Sequence, residues 1–224
     1  AQASLAEAAA PAAAGPAEEP HAAGRRDPRG SGRRPGPIYN QDMAGSLAPA
    51  LLLSMPQLLD PNFTRTVVLL CEHAPEGAFG LVLNRPTDVS AATVVRLDPP
   101  VTDGGKVKLW IGGPVEPQRG WILVDEPFEA ADTRRIVDGL YLSSSPLLLR
   151  RLLESETSCR ARVLAGYAGW GPGQLDEELA QSSWLLAEVQ TDLIFETEPA
   201  LMWETAIRRL GADPATLQMS RGVH

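Results

Sequence analysis

The sequence predicts an α+β domain built on a mixed, largely antiparallel sheet. Apolar, β-branched runs of strand length outnumber the helical patterns. Several of those runs follow one another across short turns such as Pro75-Glu76-Gly77. A doubly wound domain would instead alternate each strand with a long helix.

Ala50 to Met55 is a short apolar run ended by Pro56, which restricts the residue before it to extended backbone. Asp60-Pro61-Asn62-Phe63 carries turn chemistry. Thr66 to His73 is apolar on both faces through Cys71, the mark of a central strand, and Phe79 to Leu83 follows it. Ser90 to Leu97 reads as a short helix capped by Asp88 or Ser90. Strands are expected over Lys106–Ile111, Gly120–Val124 and Leu140–Ser143. Ser144 or Ser145, with Pro146 at the first helical position, starts a helix through Leu153. Arg162 to Tyr167 is a strand running into the glycine-rich corner at 166–175. A helix over Asp176–Glu188 is expected, with Leu175, Leu179 and Leu186 as its apolar stripe, then a strand over Gln190–Phe195. A last helix begins at Pro199, with Met202, Ala206 and Leu210 at helical spacing and Gly211 as its stop; one more turn covers Asp213–Leu217.

The 224 residues divide unevenly. Residues 1–42 are rich in Ala, Pro, Gly and Arg and nearly free of large apolar side chains. Such a segment cannot bury enough surface to offset its ordering entropy, so it reads as a disordered tail before a single domain at 43–224. The net charge is −8, and almost all of it falls on that domain. An acidic body opposes the phosphate neutralisation on which duplex DNA binding depends. The arginines between Arg25 and Arg34 leave nucleic-acid contact open for the tail, with a solvated linker as the plainer reading. The two cysteines, Cys71 and Cys159, make no disulfide framework. With no apolar run of membrane-spanning length and no signal-peptide pattern, the expectation is a reduced, cytoplasmic protein.

Cys71-Glu72-His73 brings a nucleophile, a carboxylate and an imidazole together. On a regular strand Cys71 and His73 share a face, roughly 6–7 Å apart, and Glu72 opposes them. Leaning together they would generate a thiolate; the plainer reading is a buried Cys71 and a strand-end His73. Neither cofactor nor metal is expected, because no Cys/His spacing resembles a zinc site. The corner contains Gly166, Tyr167, Gly169, Trp170, Gly171, Gly173 and Gln174. A phosphate at its helix N-terminus is opposed by Asp176, Glu177 and Glu178 in the first turn. A second glycine turn holds Gly112, Gly113 and Pro114. Asp60 is positioned to pair with Arg65, and Asn84-Arg85 forms another polar strand end. If Arg65, Arg85 and Arg119 converge, they would hold a small anion.

Together these segments resemble the AlgH (YqgE) family of bacterial proteins. The resemblance rests on Met55-Pro56, Leu59-Asp60-Pro61-Asn62-Phe63 with Arg65, Cys71-Glu72-His73, and Gly80 to Pro86. It continues through Gly112-Gly113-Pro114-Val115, Arg119-Gly120, the corner at 166–175, Trp203 and Leu210-Gly211, in order over about residues 45–224. It implies a coiled, barrel-like sheet flanked by helices, in a cytosolic monomer without an established activity. The family also carries a label as a transcriptional regulator linked to alginate production. The resulting expectation is a non-enzymatic regulatory protein that binds an unidentified protein or a small anionic ligand, with direct duplex-DNA binding opposed by its charge. The alternative is an enzyme using Cys71, His73 and Glu72.

Overall fold

A computed structural model describes residues 45–219 apart from 59, 96, 102–106 and 155–157. The expected tail at 1–42 lies outside the described residues, as do His21 and His224. β1 (Ala50–Ser54), β2 (Val67–Ala74) and β3 (Gly77–Val82) form an antiparallel meander. The runs in β1 and β2 are apolar on both faces because each face meets a different core. Leu51, Leu53, Val67 and Leu69 enter one cluster, and Leu52, Val68 and Leu70 enter another.

β4 (Pro86–Ser90) pairs with β5 (Lys108–Ile111), and β5 runs parallel to β9 (Ala161–Trp170). β6 (Val115–Val124) lies antiparallel to β9 and to β8 (Leu140–Ser143), and β7 (Thr133–Val137) pairs with β8. With β10 (Trp184–Ala187) beyond β1, the described strands make one curled, mostly antiparallel half-barrel in the order β10-β1-β2-β3-β9-β6-β8-β7. β9 is the hub: β3, β5 and β6 all pair with it. The expected α+β class and coiled sheet are therefore found.

Two helices begin where serine caps were expected. α1 (Ala91–Val94) follows Ser90, whose Oγ accepts from the Ala92 N–H at 3.3 Å. α2 (Pro146–Leu153) follows Ser145, whose Oγ accepts from the Leu148 N–H at 3.4 Å. α2 buries Leu148, Leu149, Leu152 and Leu153 against Ile122, Val124 and Val163 of the sheet. The largest cluster is closed by α4 (Thr191–Phe195) and α5 (Pro199–Arg209). Trp203 of α5 is 2% exposed and its indole N–H donates to the Ser54 carbonyl at 2.9 Å, which fixes α5 on β1. Burying an indole of that size is worth roughly 4 kcal/mol. α3 (Gln174–Ala180) and α6 (Pro214–Met219) complete the described elements.

The structure corrects the sequence at four places. The expected helix over 176–188 stops at Ala180, and 184–187 becomes β10. Ser182, at φ 58°, breaks the helix. The extended backbone that follows sends Trp184 into one cluster and packs Leu185 against another. The expected strand over 190–195 is α4 instead. Its adjacent Leu193 and Ile194 both enter the same cluster, whereas a strand would send them to opposite faces. Two strands were not foreseen: β4 and β7 lie at the margins of the sheet and bury few side chains, so their patterns are weak.

Candidate functional site

The glycine corner is a joint. β9 continues beyond the predicted strand to Trp170. Gly112-Gly113 passes directly over Gly166-Tyr167 where β3 and β5 meet end to end along β9. Gly112 donates its N–H to the Ala165 carbonyl at 2.7 Å and accepts from the Val82 N–H at 2.7 Å. Gly113 has φ 154° and Gly166 φ 72°, and a Cβ on either would overlap the other segment's backbone. Beyond the crossing, Trp170 is 7% exposed and packs near Trp184, Leu175 and Phe63. Glu178 Oε2 accepts from the indole N–H of Trp170 at 3.0 Å and of Trp184 at 2.7 Å. Its Oε1 accepts from Gln174 Nε2 at 2.9 Å, and Gln174 Oε1 accepts from the Gly171 N–H at 3.1 Å. Gly173 precedes α3, and Asp176 and Glu177 occupy the first turn. The corner is thus filled by its own side chains. Gly169 and Pro114 are exposed beside it.

The Cys71-Glu72-His73 triplet is split. A β-bulge between Leu70 and Glu72 leaves Cys71 as an extra residue opposite β3, so the alternation of faces is lost there. Cys71 packs with Leu69 and Leu81, and its thiol donates to the Leu69 carbonyl at 3.5 Å. His73 lies by the other cluster. Its Nδ1 accepts from the Leu47 N–H at 3.2 Å and its Nε2 is 3.4 Å from Asp176. The expectation that Cys71 and His73 share a face is corrected by this bulge. Burial pushes the Cys71 thiol up to about 12, against the smaller opposing effect of Arg134. Glu72 points outward and pairs with Arg134.

This makes two expectations for Cys71. At pH 8 it alkylates ~1,000-fold more slowly than an unhindered cysteine, because its thiolate is scarce; peptide mapping separates it from half-buried Cys159. Since its folded pKa is raised from 9.0 to about 12, it contributes stability below pH 9 that is lost as pH rises toward 12. Denaturant midpoints of the protein and of Cys71→Ala across that window measure the difference.

The polar strand ends do not form one cleft. Asp60 accepts from Asn62 N and Nδ2 at 2.8 and 3.0 Å, while Arg65 pairs with Glu204 and lies 5.1 Å over Trp203. The expected Asp60–Arg65 pair is therefore not made, since each is held by a nearer partner. Asn84 is 6% exposed; its Oδ1 accepts from Val67 N at 3.1 Å and its Nδ2 donates to the Arg65 carbonyl at 2.9 Å. Arg85 donates to the Thr64 carbonyl, and burial lowers its pKa. Arg65, Asn84 and Arg85 thus share one corner. Arg119 pairs with Glu116 at 3.3 Å and covers Trp121, which contacts Phe79. Phe79 is five residues from Asn84, about 16 Å along a strand. The three arginines do not converge.

A different set does. Between β5, β9 and the turn from α4 to α5 lies a groove of about 540 Å³, lined by Lys108, Trp110, Arg160, Arg162, Phe195 and neighbouring residues. Arg162 is 5% exposed, its guanidinium 4.0 Å from the Trp110 ring centroid, and it donates to the carbonyls of Leu83 and Ile194. Among the described residues no carboxylate pairs with it, and burial lowers its pKa to about 10. Arg160 is tied down at the rim: it reaches Asp125 and Glu196 at 2.6 Å each and lies 5.3 Å over Phe195. Lys108 is exposed and, among the described residues, without an ion-pair partner. Among the described residues no group of three or more His, Cys, Asp and Glu is placed to hold a metal ion, and no helix is long and apolar enough to cross a membrane.

A family model described as AlgH-like matches residues 51–215. The chain belongs to the AlgH-like family. Among curated relatives of this AlgH-like chain, a UPF0301 protein of Myxococcus xanthus is 42% identical over 181 residues, covering 80% of this chain and 99% of the relative. A UPF0301 protein of Magnetococcus marinus is 36% identical, covering 77% and 93%. The solution structure of the AlgH protein from Pseudomonas aeruginosa superposes with a TM-score of 0.67 at 30% identity, covering 83% of this chain and all of that one. The crystal structure of the Corynebacterium diphtheriae protein DIP2367 gives a TM-score of 0.58 at 25% identity, covering 77% and 90%. The resemblance read from the sequence is thereby shown. The groove was missed because its residues come from four separated segments. One signal was present: Arg162 opens an otherwise apolar strand run, where a charge is costly to bury.

Proposed function

We propose that this AlgH-like chain is a non-enzymatic binding protein whose ligand is a small organic anion, held in the groove floored by Arg162. The observation that carries this reading is a buried guanidinium that faces backbone carbonyls and an aromatic ring, with no carboxylate partner among the described residues. Burying a cation costs several kcal/mol unless an opposite charge accompanies it. An anionic ligand supplies that charge, and Lys108 at the rim adds attraction. The groove's volume lies within the usual range for small-molecule sites, roughly 300–1,000 Å³. The thiol-enzyme reading is disfavoured by a Cys71 thiol at about 12, separated from His73 by the bulge. A buried thiol at Cys71 suits a reducing cytosol.

Calorimetric titration with 2-naphthoate, an apolar body bearing one carboxylate, tests the reading. Saturable binding is expected, lost in Arg162→Met and weakened about threefold in Lys108→Gln. Absence of binding to the unaltered protein, or equal binding by both variants, overturns it. Lys108 is exposed, so its variant reports even if Arg162→Met is poorly folded.

A further inference from the structure

Resting on the groove reading, we infer that the ligand is a phosphate monoester on an apolar body, its doubly charged head bridging Lys108 and Arg162. The register of the sheet carries this. β5 runs parallel to β9, with Leu109 beside Val163 and Trp110 beside Leu164. One step earlier, Lys108 and Arg162 therefore stand side by side on adjacent strands, whose backbones lie about 4.8 Å apart. Matched positions of a parallel pair share a face, and both of these residues line the groove. Leu109 and Val163 take the other face and pack in the cluster under α2. Like charges at opposed positions destabilise a sheet. Among the described residues neither cation has a carboxylate partner. Two unpaired cations, neighbours on one face, are matched by a single group that carries two negative charges.

The charges nearby do not cancel them. Arg160, two residues before Arg162 on β9, reaches Asp125 and Glu196 at 2.6 Å each, and its backbone N–H holds Asp125 at 2.9 Å. That trio carries one net negative charge, with both carboxylates already engaged. Lys108 and Arg162 bring two positive charges, so the groove is left net positive. Its field draws a dianion more strongly than a monoanion. Arg162 gives two of its five donors to the Leu83 and Ile194 carbonyls and keeps the rest for phosphate oxygens. Lys108 is exposed, and its flexible four-carbon stem brings the ammonium to the same head. A carboxylate offers one charge and satisfies one of the two cations. A phosphate monoester, mostly dianionic at pH 7.5, satisfies both. Pro86, Trp110, Phe195 and Pro199 wall the groove with apolar surface for the ligand's body.

Calorimetry at pH 7.5 with 2-naphthyl phosphate, 2-naphthyl methyl phosphate and inorganic phosphate tests this, beside 2-naphthoate. The methyl ester keeps the tetrahedral head and body but carries one charge. The naphthyl phosphate is expected to bind about tenfold more tightly than either its methyl ester or inorganic phosphate. Lys108→Gln is expected to weaken the naphthyl phosphate about tenfold and the methyl ester about threefold, so the gap between them narrows. Equal or weaker binding of the naphthyl phosphate than of its methyl ester, or a gap unmoved by Lys108→Gln, overturns the double-charge inference. Inorganic phosphate binding as tightly as the naphthyl phosphate overturns the apolar body. If 2-naphthoate and the methyl ester bind through Arg162 and the naphthyl phosphate gains nothing, the groove reading stands and this inference alone fails. If no naphthyl probe binds, or Arg162→Met binds them all as before, the groove reading fails as well.

Discussion

Gly166→Ala is expected to cost at least ~3 kcal/mol and to leave little folded protein. Two effects add. At φ 72° an L side chain costs about 1 kcal/mol. The new Cβ would also collide with the Gly113 carbonyl oxygen and lie 3.0 Å from that of Val115 and 3.3 Å from Pro117 Cα. These are backbone atoms of paired segments, so relief requires β6 to pull away from β9. Gly173 supplies the control. It has nearly the same φ, 71°, but nothing lies within 4 Å of its added Cβ. Gly173→Ala should therefore cost only about 1 kcal/mol. Denaturant unfolding of the two variants measures the difference directly, and similar losses for both would show that conformation, not the crossing, dominates.

Glu178→Ala is expected to destabilise the protein by about 3–5 kcal/mol. Removal of the carboxylate strips the acceptor from two indole N–H groups whose rings are 7% and 2% exposed, those of Trp170 and Trp184. Each abandoned buried donor costs about 1–3 kcal/mol. Glu178→Gln keeps one oxygen for the indoles but turns an amide toward Gln174, so its loss should be about half as large. Equilibrium unfolding gives the magnitudes. Near-ultraviolet circular dichroism should show the altered indole packing in the variants that still fold.

The fold was legible where one physical signal dominated. β1 and β2 are apolar on both faces because both faces are buried, and Ser145-Pro146 starts a helix because it caps one and presets its first dihedral. The resemblance to the AlgH family was legible for the same reason: the crossing tolerates only glycines, so they stand out in the sequence. Residues 184–195 were read wrongly because short apolar segments suit helix and strand alike, and tertiary contact decides between them. The bulge at Cys71 follows from pairing with β3, which no local pattern announces. The groove was hidden for a further reason. Arg162, Lys108 and Phe195 become neighbours only after β9 has paired with β5 and α4 has docked.

The hub position of β9 also bears on how the protein is made. β3, β5 and β6 are all translated before residues 161–170, yet each has an edge that only that strand covers. Until β9 leaves the ribosome, the nascent chain exposes their unpaired edges, and such edges invite association with other chains. Completion of the half-barrel is therefore a late event in synthesis, and a chain truncated before residue 160 lacks the strand that joins β3, β5 and β6.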